Sequence, residues 1–319
     1  MIRLLSSLLL ALALSSASLF AADTYPSKPV RLVVPFAAGS ATDSAGRILA
    51  QALSERLGQN VYVDNRAGAN GQIAAMNVKA SPADGYTLFM ATNSSHSANP
   101  HLYKSLPYDP IKDFIPVARV GFINFMLVVH PGVPAANTRE FIAYALANPG
   151  TLSYATASTA SLVGAETINA MAHTDMVGVA YKASPQAMLD LVAGRLQLMV
   201  ADFATAMPYV RSGKLKVLGV TTAKRSSLLP DVPPLGDTLK GFDMTSWNGL
   251  FVPAGTPPAI VARLERETLA ALGRAEVREK MAAIGYDVEP MPAAPFAAYV
   301  QAQLDTWGKL IRAARIQPE

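Results

Sequence analysis

Residues 30–53 read VRLVVPFAAGSATDSAGRILAQAL, a stretch that carries a strand, a turn and a helix in succession. The opening VRLVV is apolar and β-branched, as a buried strand requires. Further on, Leu49, Leu53 and Leu57 recur at i, i+4 and i+8, one stripe of an amphipathic helix, with Gly58 as its stop. Between the two lies PFAAGSATD, a loop of small residues closed by Asp43, without lysine or arginine. In open α/β sheets, ligands sit at the carboxyl ends of strands, where such loops lead into helices. Free N–H groups at a helix start, helped by the macrodipole, stabilise an anion without any formal positive charge. Phe36, Ala38, Gly39, Ser40 and Asp43 are therefore candidates for an anion-binding turn, with the Asp43 carboxylate expected near the cleft. The plainer role for Asp43 is to cap its helix.

Residues 152–166, LSYATASTASLVGAE, repeat the construction. A strand exits into Thr156, Ser158, Thr159 and Ser161 before a helix, again with no basic residue. Cap and turn chemistry explains either loop alone as readily as binding does. Two such starts in separate halves of the chain favour a clamp on a carboxylate. Asp202 follows the strand LQLMVA directly, at another strand's carboxyl end. It could meet a ligand ammonium, order water or cap the next helix, and the last two fit better. Asn93, Ser94, Ser95 and His96 follow YTLFMAT and are candidates to line the first domain's share of the cleft. A lone loop histidine such as His96 is more often structural or solvent-exposed.

Beyond these loops, short β-rich runs keep alternating with helical patterns. VYVDN leads through RAGANG to a helix near 72–80; FMLVVH precedes a helix at roughly 138–147; Ser184 and Pro185 open another helix that Gly194 stops. The strand LKVLGVTT runs into a Pro-rich connector, LLPDVPPLGDTLKGF. The C-terminal third reads as helical, with Val277, Met281 and Ile284 on one face and Phe296, Val300, Leu304, Trp307 and Ile311 on another. The alternation predicts an α/β fold of two sheet domains, mostly parallel, with helices on both faces.

With 319 residues, 51% of them hydrophobic and 16% charged, the chain can bury a core for about two domains. The net charge of +4 is spread out, which argues against a nucleic-acid partner. The absence of cysteine excludes disulfides and thiolate chemistry. Neither a G-x-S-x-G elbow nor H-E-x-x-H occurs, so hydrolase and metalloprotease readings lack their motifs. Residues 1–22, with Arg3 before the apolar run LLSSLLLALALSSASLF, read as a cleaved secretory signal, ending at Ala17 or near Ala22. The expected destination is the periplasm, as a free soluble protein.

The segments YPSKPVRLVVPFAAGSATD, VYVDNRAGANGQIAA, SPADGYTLFMAT, LPYDPIKDFIPVARV, AYKASPQAMLDLVAGRLQLM, VRSGKLKVLGVTTAKRSSLLPDVPPL and WNGLFVPAGTPP, taken together, resemble the substrate-binding receptors of tripartite tricarboxylate transporters, the Bug family. The resemblance covers nearly all of the chain after the signal. It implies a two-domain type II periplasmic binding fold, a Venus flytrap, with domain 1 from 23–121 plus 248–319 and domain 2 from 122–247. It further implies a monomeric receptor, not an enzyme, with no cofactor and no metal. Its two loops would hold one carboxylate of a dicarboxylate, tricarboxylate or aromatic acid through backbone amides and bridging water. Its partner would be the permease subunits in the membrane. Tyr181 and Lys182 lie in the family's PYKG segment, here AYKA, and both are further candidates, with a solvent-facing role the equal alternative for Lys182. The chain departs from the pattern at Ser40, Ser158 and Ala160, where the family has glycine, and no histidine follows Ser161. Those departures put transfer of ligand specificity from relatives in doubt. A periplasmic sensor and a secreted enzyme on the same fold are the alternatives.

Overall fold

The computed structural model describes residues 25–318, so the expected signal at 1–22 lies outside the described residues. The strand β1 (Val30–Val34) and helix α1 (Ala41–Leu57) form as the opening stretch predicts, and Gly58 ends α1 in the left-handed region at φ 68°. β1 is parallel to both β2 (Val61–Asn65) and β3 (Thr87–Thr92), with Leu32 opposite Val63 and Leu88. Between β2 and β3 lies α2 (Gln72–Lys79). After β3 the chain makes a π-turn at Ser94–Ala98 and the short α3 (Asn99–Leu102). β4 (Phe114–Ile123) then passes through the single residue Asn124 into β5 (Phe125–Val129).

That step changes sheets. β4 belongs to a six-stranded sheet in the order β11-β4-β10-β3-β1-β2, and β5 to a five-stranded sheet in the order β7-β6-β8-β5-β9. The second sheet is built from α4 (Thr138–Ala147), β6 (Ser153–Thr156), α5 (Thr159–Ala172), β7 (Val177–Ala180), α6 (Ser184–Val192), β8 (Leu198–Asp202), α7 (Phe203–Arg211) and β9 (Lys216–Val220). The Pro-rich connector returns the chain to β10 (Ser246–Pro253), followed by α8 (Pro258–Leu272), α9 (Ala275–Ala283), β11 (Tyr286–Pro292) and α10 (Ala293–Ala313). The two crossings run side by side: Thr221 donates its N–H to Phe125 O, and Met244 N–H to Thr221 O.

The sheets are mixed, not mostly parallel. The βαβ units pair in parallel, but β5 and β10 run against both of their neighbours. Each carries the chain into its sheet from the other one. Starting at the shared edge, it must run away from that edge, while the strands beside it run toward it. A second difference lies in the C-terminal third, where the strand β11 interrupts the expected helices. Its sequence YDVEPMP alternates apolar and charged residues only over Tyr286–Glu289 before two prolines, which suits an edge strand.

The core of the first sheet is aromatic. Phe296 and Trp247 meet edge to face at 5.6 Å, and Phe251 lies 5.2 Å from Phe296. Along α10, Phe296, Val300, Trp307 and Ile311 are buried, whereas Leu304 is half-exposed. His96 is a core residue, fully buried with its ring 4.3 Å from that of Phe251. Burial alone pushes its pKa down to about 3, so it is neutral.

Candidate functional site

The carboxyl ends of β1, β3, β6 and β8 all face the gap between the sheets, and two adjoining cavities occupy it. The inner one is small and is lined by Phe36, Ser40, Ala41, Thr42, Thr92, Ser94, Ile123, Phe125, Ser158, Ala160, Ser184, Asp202 and Ser246. It gathers the first turns of α1 and α5, the first residue of α6 and the N-cap of α7. None of the lining residues is basic. The outer cavity shares Phe36 and Ser158 with it and widens to about 1420 Å³, partly open to solvent.

The first turn of α1 is held by its own residues. Ser40 is the N-cap, and its Oγ accepts from Asp43 N–H at 3.2 Å. Asp43 is buried and fully engaged: it accepts from Gly39 N–H at 2.9 Å and Asn65 Nδ2 at 2.9 Å, and pairs with Arg47 at 3.0 Å. Asp43 lines neither cavity; it shapes the loop from behind. Ala41 and Thr42 head the helix, and a helix's first amides have no carbonyl partner inside it. Gly39, at φ 81°, is the crest of the turn, and a β-carbon there would stand 3.8 Å from Cγ of Pro185 on α6. The loops of the two sheets therefore meet face to face, with Ala38 and Gly39 exposed at the rim.

At α5 the corresponding work is done by a capping box. Ser158 Oγ accepts from Ser161 N–H at 3.2 Å, while Ser161 Oγ accepts from Ser158 N–H at 3.0 Å and from Ala157 N–H at 2.9 Å. The hydroxyls, not special φ values, fix the turn, with Ser158 in ordinary extended backbone at φ −156°. Ser161 and Thr159 are fully buried and line neither cavity, and Thr159 Oγ1 has no hydrogen-bond partner. The amides of Thr159 and Ala160 remain at the helix mouth.

Of the candidate residues, Phe36, Ser40, Ser94, Ser158 and Asp202 come together in the inner cavity, and Thr156, Tyr181 and Lys182 join the outer one. Asn93 is buried behind the wall, its Oδ1 accepting from Ser246 Oγ and its Nδ2 unpartnered. Asp202 is the N-cap of α7. Its Oδ1 accepts from Thr205 N–H at 2.8 Å and Thr205 Oγ1 at 2.7 Å. Burial pushes its carboxyl pKa up, against those hydrogen bonds.

Several lining residues were not singled out from the sequence. Thr92, Ser184 and Ser246 offer hydroxyls to the inner cavity, and Ile123 and Phe125 flank the crossing residue Asn124. The outer cavity is rimmed by Gly68, Ala69, Asn70 and Gly71, four successive residues with positive φ, and by Tyr103, Tyr154 and Glu166. Non-glycine residues rarely adopt that region, and runs of it concentrate at ligand clamps. The G-A-N-G run was the signal that could have located this rim. Tyr154 donates a short hydrogen bond to Glu166, and Lys182 is the sole basic residue lining either cavity. Among the described residues, no group of three or more His, Cys, Asp or Glu side chains could hold a metal ion, and no helix is long and apolar enough to cross a membrane.

With that geometry in hand, the comparisons are specific. Residues 45–316 match the model of the tripartite tricarboxylate transporter family receptor. A UPF0065 protein of Bordetella bronchiseptica is 35% identical over 99% of this chain and 93% of its own. Among solved structures, R. palustris Rpa4515 with adipate superposes with a TM-score of 0.90 at 32% identity, covering 92% of this chain and all of that one. The periplasmic binding protein BugD gives a TM-score of 0.88 at 31% identity, again over 92% of this chain and 100% of its own.

Proposed function

The chain belongs to the tripartite tricarboxylate transporter receptor family, and from that premise we propose that it captures a small organic carboxylate in the periplasm and hands it to a membrane permease. The observation that carries the reading is the inner cavity, where α1 and α5 from the two sheets present their first turns to one cation-free space. Amides and hydroxyls there can make charge-assisted bonds to a carboxylate, each worth roughly 1.5–3 kcal/mol. The similarity to a protein solved with adipate supports a dicarboxylate, one end seated in the inner cavity and the other in the outer one. In the outer cavity Lys182 is the basic residue within the lining, exposed and suited to a distal carboxylate.

Closure would occur about the paired crossings at Asn124 and Thr221, with the six-stranded sheet and its helices moving against the five-stranded sheet and its own. Residues 1–22 would serve as the export signal. Native mass spectrometry of the protein as purified tests the proposal. A bound mass matching a small di- or tricarboxylic acid, lost on denaturation and restored by adding that acid, is the expected result. Release of a chemically altered product would instead favour an enzyme on this fold.

A further inference from the structure

The inner cavity contains a feature that sits awkwardly with anion capture, namely a carboxylate of its own. Asp202 is 5% exposed and lines the same small space as the two helix starts. No lysine, arginine or histidine lines that space to compensate it. Both hydrogen bonds from Thr205 fall on Oδ1, which leaves Oδ2 for the cavity. Asp43, the other buried aspartate of the region, is paired with Arg47 and turned away into its own loop.

Charged groups on the elements packed against Asp202 have partners of their own. On α1, Asp43 is paired with Arg47; on α5, Glu166 accepts from Tyr154; on α6, Asp190 is bound by Arg195 and Tyr181. On β11, Asp287 accepts from Asn124 Nδ2 at 2.7 Å, and Asn124 O in turn accepts from Phe203 N–H. None is a free cation for Asp202. Two carboxylates confined in one narrow cavity without a cation cannot both stay ionised cheaply; one proton comes to be shared between them.

We propose that Asp202 binds the ligand as a proton-sharing partner: seating a carboxylate in the inner cavity draws one proton from solvent, held between Asp202 Oδ2 and a ligand oxygen. The inference rests on the carboxylate-receptor reading and deepens it. A ligand ammonium beside the seated carboxylate would instead pair with ionised Asp202, and no proton would be drawn in. Burial already holds the ligand-free carboxyl above the ordinary range, which lowers the cost of taking up that proton.

The test is calorimetric titration with adipate at pH 7.0 in two buffers of different ionisation enthalpy, where adipate itself is almost fully ionised because ordinary carboxyl groups titrate near pH 4. Wild type should take up close to one proton per adipate bound, and its affinity should fall by up to about tenfold per pH unit above the ligand-free pKa of Asp202. Asp202→Asn keeps the cap acceptor and offers a permanent donor, so its adipate affinity should be independent of pH and higher than wild type's at pH 8. A carboxyl ¹³C titration of the ligand-free protein should place Asp202 above the ordinary aspartate range. Adipate binding without proton uptake, uptake that survives in Asp202→Asn, or ordinary titration of the free carboxyl would each overturn the proposal. So would glutamate binding wild type more tightly than adipate and losing that preference in Asp202→Asn. Failure of adipate, succinate and citrate alike to bind would sink the receptor reading itself, and the proton pair with it, whereas binding without uptake removes the proton pair alone.

Discussion

Asp43 and Asp202 hold equivalent places at helix starts, yet the structure gives them different work. Asp43 ties Gly39, Asn65 and Arg47 into one loop. Asp43→Ala should lower stability by roughly 1–3 kcal/mol and weaken every carboxylate alike, because it loosens the turn without touching the ligand. Thermal melts combined with a ligand panel check this; loss confined to one ligand class would contradict it. His96 sets a pH dependence of the fold. Its folded pKa of about 3 lies below the ordinary 6.5, so below pH 6.5 the unfolded chain binds the proton that the native state refuses. Stability should therefore fall as pH drops from about 6.5 toward 3, by at most about 1.4 kcal/mol per pH unit from this residue. Urea titrations at pH 7, 6 and 5 should show a shallower slope for His96→Gln than for wild type. The sequence suggested a loop histidine; it could not show that YTLFMAT continues into a π-turn which carries the ring under Phe251.

At the scale of elements, the strand–loop–helix units were the legible part. A β-branched run followed by a leucine stripe is a local pattern, and β1, α1, β6 and α5 formed where it placed them. Ser40, Ser158 and Asp202 were legible as residues at helix starts for the same reason, since capping is local chemistry. What stayed hidden depends on distant pairing: β11 has too short a pattern of its own and exists because β4 offers it a partner, with Tyr286 opposite Ile123. The rim at Gly68–Gly71 likewise reads only as a turn until Tyr103 and Tyr154 arrive from elsewhere in the chain. Close packing between elements makes a sharper prediction at Gly249, where β10 passes under α10. A β-carbon there would stand 2.1 Å from Phe296 Cζ, a ring with no exposed surface to retreat into. Gly249→Ala should cost on the order of 3 kcal/mol by overpacking, read as a lower urea midpoint with the slope unchanged. A neutral result would mean that α10 is held far more loosely than its buried Phe296, Trp307 and Ile311 indicate.

For the whole molecule, two sheets joined by adjacent crossings flank the cation-free inner cavity, and the proposed clamp closes on an anion held between its halves. Gly39 and Pro185 already stand face to face, so a ligand seated below them bridges both sheets. Small-angle scattering should show a smaller radius of gyration with saturating ligand than without it, as hinge closure requires. The central claim, that the carboxylate group itself is what the two helix starts recognise, is tested most directly by calorimetry of adipate against its uncharged diamide at the same pH and ionic strength. Adipate should bind at least a hundredfold more tightly, since the diamide forfeits charge-assisted bonds of roughly 1.5–3 kcal/mol each. Equal affinity for the acid and the diamide would contradict the account.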